Sequence, residues 1–165
     1  MTPEFSRAFR AHDVGGVTRE QTIEAEPAER EGLARRFGLI DLEALTAAVT
    51  MRREAVGIRV TGTVNARGNQ ACVATAEPVP FLLSEPIALL LTDVAPEGDE
   101  IELAEPDLDT ERLEGDIIDM GEIAAQALAL ALDPYPRSTV AAPGVLSEEQ
   151  ARVISSPFSV LRPKT

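Results

Sequence analysis

A chain of 165 residues with 44% hydrophobic content can bury a core of its own, and no apolar run in it approaches membrane-spanning length. One cysteine excludes an intramolecular disulfide. One cysteine and one histidine together exclude a closed zinc site of the usual nitrogen and sulfur ligands within a single chain. The net charge of −13 opposes dominant non-specific binding of polyphosphate, and the sole lysine, Lys164, leaves no glycine-rich loop ending in Lys-Ser or Lys-Thr.

Glu4 to Arg10 alternates around Phe5 and Phe9 and predicts a short strand. His12-Asp13-Val14-Gly15-Gly16 is a turn, and Glu20 to Ala25 returns as a second strand. His12 has no second candidate ligand nearby and reads as a surface or capping histidine. Pro27 opens a helix that stops at Gly38, with Glu29 and Glu31 near its positive end and Arg35 and Arg36 near its negative end.

Asp41 to Glu54 fits two periods. Leu42, Leu45 and Val49 suit a helix, whereas Leu45, Ala47, Val49 and Met51 suit a strand. We divide it into a short turn at 41–45 and a strand through Arg53. Arg52, Arg53, Arg59 and Arg67 then fall together on neighbouring strands, as a solvated face or an RNA-contacting one.

Ile58 to Thr92 predicts a β-hairpin. Its first arm, 58–67, alternates with period two. Its second arm, 79–91, puts Val79, Phe81, Leu83, Ile87, Leu89 and Leu91 on one face. Pro78, Pro80 and Pro86 cannot donate to a ladder and place that arm at an edge or a bulge. Cys72 lies in the connecting turn without a neighbouring base, so it reads as a small residue filling the turn rather than as an activated nucleophile.

Asp93 to Glu122 holds thirteen acidic residues and one base, Arg112, against fifteen acids and fourteen bases elsewhere. A nearly neutral body therefore carries one acidic insert, 93–116, read as a loop. Asp99, Glu100, Glu102, Glu105, Asp107 and Asp109 are its candidate contacts with a basic protein. Asp119, with Glu122 three residues on, predicts a helix N-cap and capping box. The helix runs through Leu132, nearly uncharged after Glu122 and therefore apolar on more than one face, and Asp133-Pro134 stops it. Residues 138–165 form a tail, expected to be flexible, with one helical turn at 147–154. Its apolar segment Pro157-Phe158-Ser159-Val160-Leu161 offers Phe158 and Leu161 for docking.

The stretch Gln70-Ala71-Cys72-Val73-Ala74-Thr75-Ala76-Glu77-Pro78 resembles the signature of the YceD family, the large ribosomal RNA subunit accumulation proteins. That family shows a strand, a Cys-x-x-Cys turn, a Glu-Pro step, an acidic stretch, and a helix with a proline-rich stop. Cys72, Glu77 and Pro78 match the motif, and the order of the remaining features matches along nearly the whole chain. Thr75 stands where the family has its second cysteine, which removes any metal or redox role of the pair. The resemblance implies a non-enzymatic factor in the accumulation or maturation of large-subunit ribosomal RNA, with no catalytic residues to carry over and no cofactor.

The expected architecture is an α+β domain over 1–137: an antiparallel sheet, open or closed into a barrel, covered by two helices. The expected partner is a basic ribosomal or rRNA-processing protein, with ribosomal RNA itself as the alternative. A hydrolase built on a carboxylate pair comes third. The first seven residues carry no apolar signal core, and the single cysteine suits a reducing compartment, so the cytoplasm is the expected location.

Overall fold

The long central strands set the architecture. A computed structural model describes residues 3–93, 109–113 and 115–139. Strands β1 (Ala8–Arg10) and β2 (Arg19–Glu24) precede helix α1 (Pro27–Phe37). A meander follows, β3 (Asp41–Glu54), β4 (Gly57–Ala71) and β5 (Pro78–Thr92), and then β6 (Asp109–Arg112), β7 (Ile117–Asp119) and α2 (Met120–Ala131). One sheet has the order β2-β3-β4-β5-β6, and β1 pairs with β7 in a small second sheet. The fold is α+β, as expected, with two helices among the described residues. Among those residues the sheet stays open, with β2 and β6 at its two ends, and does not close into a barrel. It is also mixed, because β6 runs parallel to β5 while the other pairs are antiparallel.

Register explains where the sequence misled. The expected turn at 41–45 is strand, and the pairing of β3 with β4 shifts between Leu42 and Ala44. That bulge moves the side-chain parity by one, so Leu42 and Leu45, three apart, both enter the core. A spacing that resembled a helix is a bulged strand. β4 also continues past Arg67 to Ala71. The Asn69 side-chain amide bonds both carboxylate oxygens of Asp41, at 3.1 and 3.0 Å, and Gly68 lets the Asp41 carbonyl approach closer than a Cβ would allow.

The core lies on one face of the sheet. Met51, Val60 and Ile87 from the strands meet Leu33 of α1 and Met120, Ala124 and Leu128 of α2. α1 packs chiefly on β3, and α2 on β5 and β4. α1 keeps its expected limits: Glu26 and Glu29 form a capping box, and Gly38 ends it in the left-handed region at φ 65°. For α2, the Asp119 carboxylate accepts the N–H groups of Gly121 and Glu122. Glu122 does not fold back to complete a capping box. Its carboxylate takes two bonds from the Arg36 guanidinium, at 2.7 and 2.9 Å.

Two further expectations change. The strand at Glu4–Arg10 shrinks to Ala8–Arg10, because Phe5 leaves the ladder to bury its ring in the core. The loop assigned to 93–116 contains β6 and the start of the segment leading to β7. Asp-Thr-Glu-Arg has no apolar alternation, and β6 is a strand because β5 offers it an edge. The tail beyond 139, with Phe158 and Leu161, lies outside the described residues, as do Asp99, Glu100, Glu102, Glu105 and Asp107 of the insert.

Candidate functional site

The four arginines expected to share a face do not form a free basic patch. Arg52 and Arg59 are cross-strand neighbours, but Arg53 pairs with Ile58 and so projects from the opposite face. Arg53 donates to the backbone carbonyls of Val14, at 2.9 Å, and Ala11. Arg59 holds Glu54 in a two-pronged pair at 2.8 and 3.1 Å, which keeps the Glu54 carboxyl below the usual carboxylate range. Arg67, eight residues further along β4, pairs with Glu43 at 3.2 Å. Arg7 grips Glu29, and Arg36 bridges Glu4 and Glu122. Arg52 is the member of the four left exposed on the outer face, with no hydrogen bond or ion pair among the described residues.

His12 lies where a capping histidine would. Its backbone N–H donates to Asp116 Oδ1 at 3.0 Å, and its ring meets the other oxygen of Asp116 and, at 3.3 Å, Asp13. The imidazole holds the Asp116 carboxyl below its ordinary range. The contact ties the turn after β1 to the turn before β7.

Cys72 is more deeply placed than a turn-filling residue, at 5% exposure. The Ser138 N–H donates to its Sγ at 3.3 Å. The Thr75 hydroxyl and the N–H groups of Ala74 and Thr75 also face the sulfur, and together these donors push the thiol down to about 7. Thr75 thus faces Cys72 across the turn. Glu77 closes the turn, its carbonyl accepting the Cys72 N–H at 2.8 Å, and Pro78 begins β5. The sequence concealed this site because the Ser138 donor lies 66 residues away. A thiol with a folded pKa below its unfolded one stabilises the fold as thiolate. That contribution is absent below pH 7, grows between about 7 and the ordinary value of 9.0, and is lost again as pH falls through about 7. Thiolate absorbance should therefore titrate near 7 in the folded protein, and Ser138→Pro, which removes the N–H, should raise the midpoint. A midpoint at the ordinary cysteine value would show that the donors do not act on the sulfur.

A groove runs between α2 and the β5–β6 end of the sheet, with a volume of about 220 Å³. Ile87 and Leu89 form its floor, and Ile123, Ala127, Leu130 and Ala131 form its helical wall. Met120, Ala124 and Leu128 turn a different side of α2 into the core. The charge-free stretch after Glu122 therefore has two apolar sides, one buried and one along the groove, where Leu130 is 89% exposed. Glu85, Asp109 and Glu111 line the rim. Asp109 and Glu111 are opposite Leu89 and Leu91, so they project from the same face of the sheet as the floor. Among the described residues none of these three carboxylates has a hydrogen bond or ion pair.

Glu85 carries a signal in the sequence itself. It shares the parity of Phe81, Leu83, Ile87 and Leu89, and so breaks an otherwise apolar face of β5. Pro78, Pro80 and Pro86 share the other parity. Their missing N–H groups all fall on one side of the strand, which leaves the ladder to β4 intact over 14 paired positions.

Among the described residues no group of three or more His, Cys, Asp or Glu side chains is arranged to hold a metal ion. No described helix is long and apolar enough to cross a membrane. No family model, curated protein or solved structure matches the chain.

Proposed function

We propose that this chain is a non-enzymatic cytoplasmic factor that supports accumulation or maturation of large-subunit ribosomal RNA by binding a basic ribosomal or rRNA-processing protein. The process rests on the resemblance of the Cys72 to Pro78 stretch and the order of features around it. The mode of binding rests on one observation: three of the four sheet arginines are engaged internally, whereas the acids of the β5–β6 end are open. Arg53, Arg59 and Arg67 have carbonyl or carboxylate partners, and Glu85, Asp109 and Glu111 have none among the described residues. Charge arranged this way favours a cationic protein over a phosphate backbone.

Affinity capture from lysate with and without ribonuclease tests the binding mode. Retention of a basic protein after ribonuclease is the expected result, and complete loss of capture would favour RNA contact through Arg52 and its neighbours. Changing Asp99, Glu100, Glu102, Glu105, Asp107 and Asp109 to their amides should slow association and flatten its salt dependence, with the melting temperature little changed. Depletion of the protein should lower the ratio of large-subunit to small-subunit RNA. An unchanged ratio would remove the process while leaving the binding intact.

A further inference from the structure

We infer that the groove between α2 and the β5–β6 end of the sheet is the docking site for a basic amphipathic helix of the partner, a reading that rests on the basic-protein proposal and gives it an address. Two independent features converge there. The first is the apolar side of α2 left uncovered by the described residues, where Ile123, Ala127, Leu130 and Ala131 follow the spacing of one helical face and continue onto Ile87 and Leu89 of β5. The second is the rim, where Glu85, Asp109 and Glu111 have no basic partner among the described residues.

A helix presenting aliphatic side chains on one face, flanked by lysine or arginine, satisfies both features. Its apolar side chains enter the groove, and its cations meet the rim carboxylates. Charge also selects against other occupants. The chain's own insert, 94–108, carries six acids and no base, so it would meet like charge at the rim. A second copy would bring the same rim against itself. An extended strand added to the free side of β5 is opposed by Pro78, Pro80 and Pro86, which deprive that side of three donors.

The probe is a fluorescent synthetic helix of leucine and lysine, with a leucine and glutamate helix of the same length as its control, titrated against the full chain. The lysine peptide should bind and the glutamate peptide should not. Ala127→Arg, which places bulk and positive charge on the wall, should weaken binding at least tenfold. The triple change Glu85→Gln, Asp109→Asn and Glu111→Gln should flatten the salt dependence. Leu130→Ala should weaken binding without moving the melting temperature, which separates a lost contact from lost folding.

A photo-crosslinking residue at position 130 then reports the occupant. Cross-linking to the lysine peptide supports the assignment, whereas an intramolecular product, a cross-linked dimer or an RNA adduct overturns it. Should the groove variants bind normally while amides across 99–109 abolish binding, the basic-protein reading survives and the groove assignment fails. Failure of the lysine peptide to bind at all would overturn both.

Discussion

Replacing Phe5 with alanine is expected to lower stability by about 3 to 5 kcal/mol, as large as ring deletions from cores commonly cost. Phe5 is 1% exposed, and the Arg7 guanidinium lies over its ring at 4.7 Å from the centroid. The residues around it hold the start of α2. Arg7 N–H donates to Asp119 Oδ1 at 2.8 Å, and the Arg7 carbonyl accepts the Met120 N–H at 3.0 Å. At Gly121 a Cβ would stand 2.4 Å from the Phe5 carbonyl oxygen, so only glycine permits this crossing. Loss of the ring removes core volume and loosens that clamp together. Phe5→Leu, which keeps most of the volume, should cost less than about 1.5 kcal/mol. Equilibrium denaturation checks both, and equal losses for the two variants would show that the ring does not fill the core.

Leu128→Ala should cost about 2 to 5 kcal/mol, since the side chain is 1% exposed at the contact of α2 with the sheet. Leu130→Ala, two residues on, should stay within about 0.5 kcal/mol because its side chain is in solvent. The same chemical change on the same helix is thus expected to give a large stability effect at one position and almost none at the other. Denaturant midpoints for the pair decide it, and similar losses would place both leucines in the core and leave no open wall for the groove.

These two leucines also mark how far the sequence could be read. The apolar content of 120–132 announced a helix with more than one apolar side, and Asp119 and Pro134 marked its ends. Which side is covered depends on where β5 lies, and its contacts with α2 join residues several tens of positions apart. The arginines show the same division. Strand periodicity puts them on neighbouring strands, but Arg53 projects from the face opposite Arg52 and Arg59, and Arg67 lies eight residues along β4 from Arg59. The partners of Arg53, the carbonyls of Val14 and Ala11, lie 39 and 42 residues away. The donor from Ser138 to Cys72 is more remote still, 66 residues along the chain.

What the amino-acid order determined by itself was local. Pro27 and Gly38 bound α1, Asp119 caps α2, and period-two alternation marks the arms of β4 and β5. Caps and side-chain periods act over a few residues, so their chemistry is written in adjacent letters. Tertiary structure alone decided the rest. The bulge between Leu42 and Ala44 set which leucines enter the core, and the edge of β5 made a strand of the polar residues 109–112. The sheet brought Glu85 beside Asp109 and Glu111 against the open side of α2. Those outcomes depend on backbone hydrogen bonds, which any residue but proline can donate, and on contacts across the width of the sheet, which no short stretch of sequence contains.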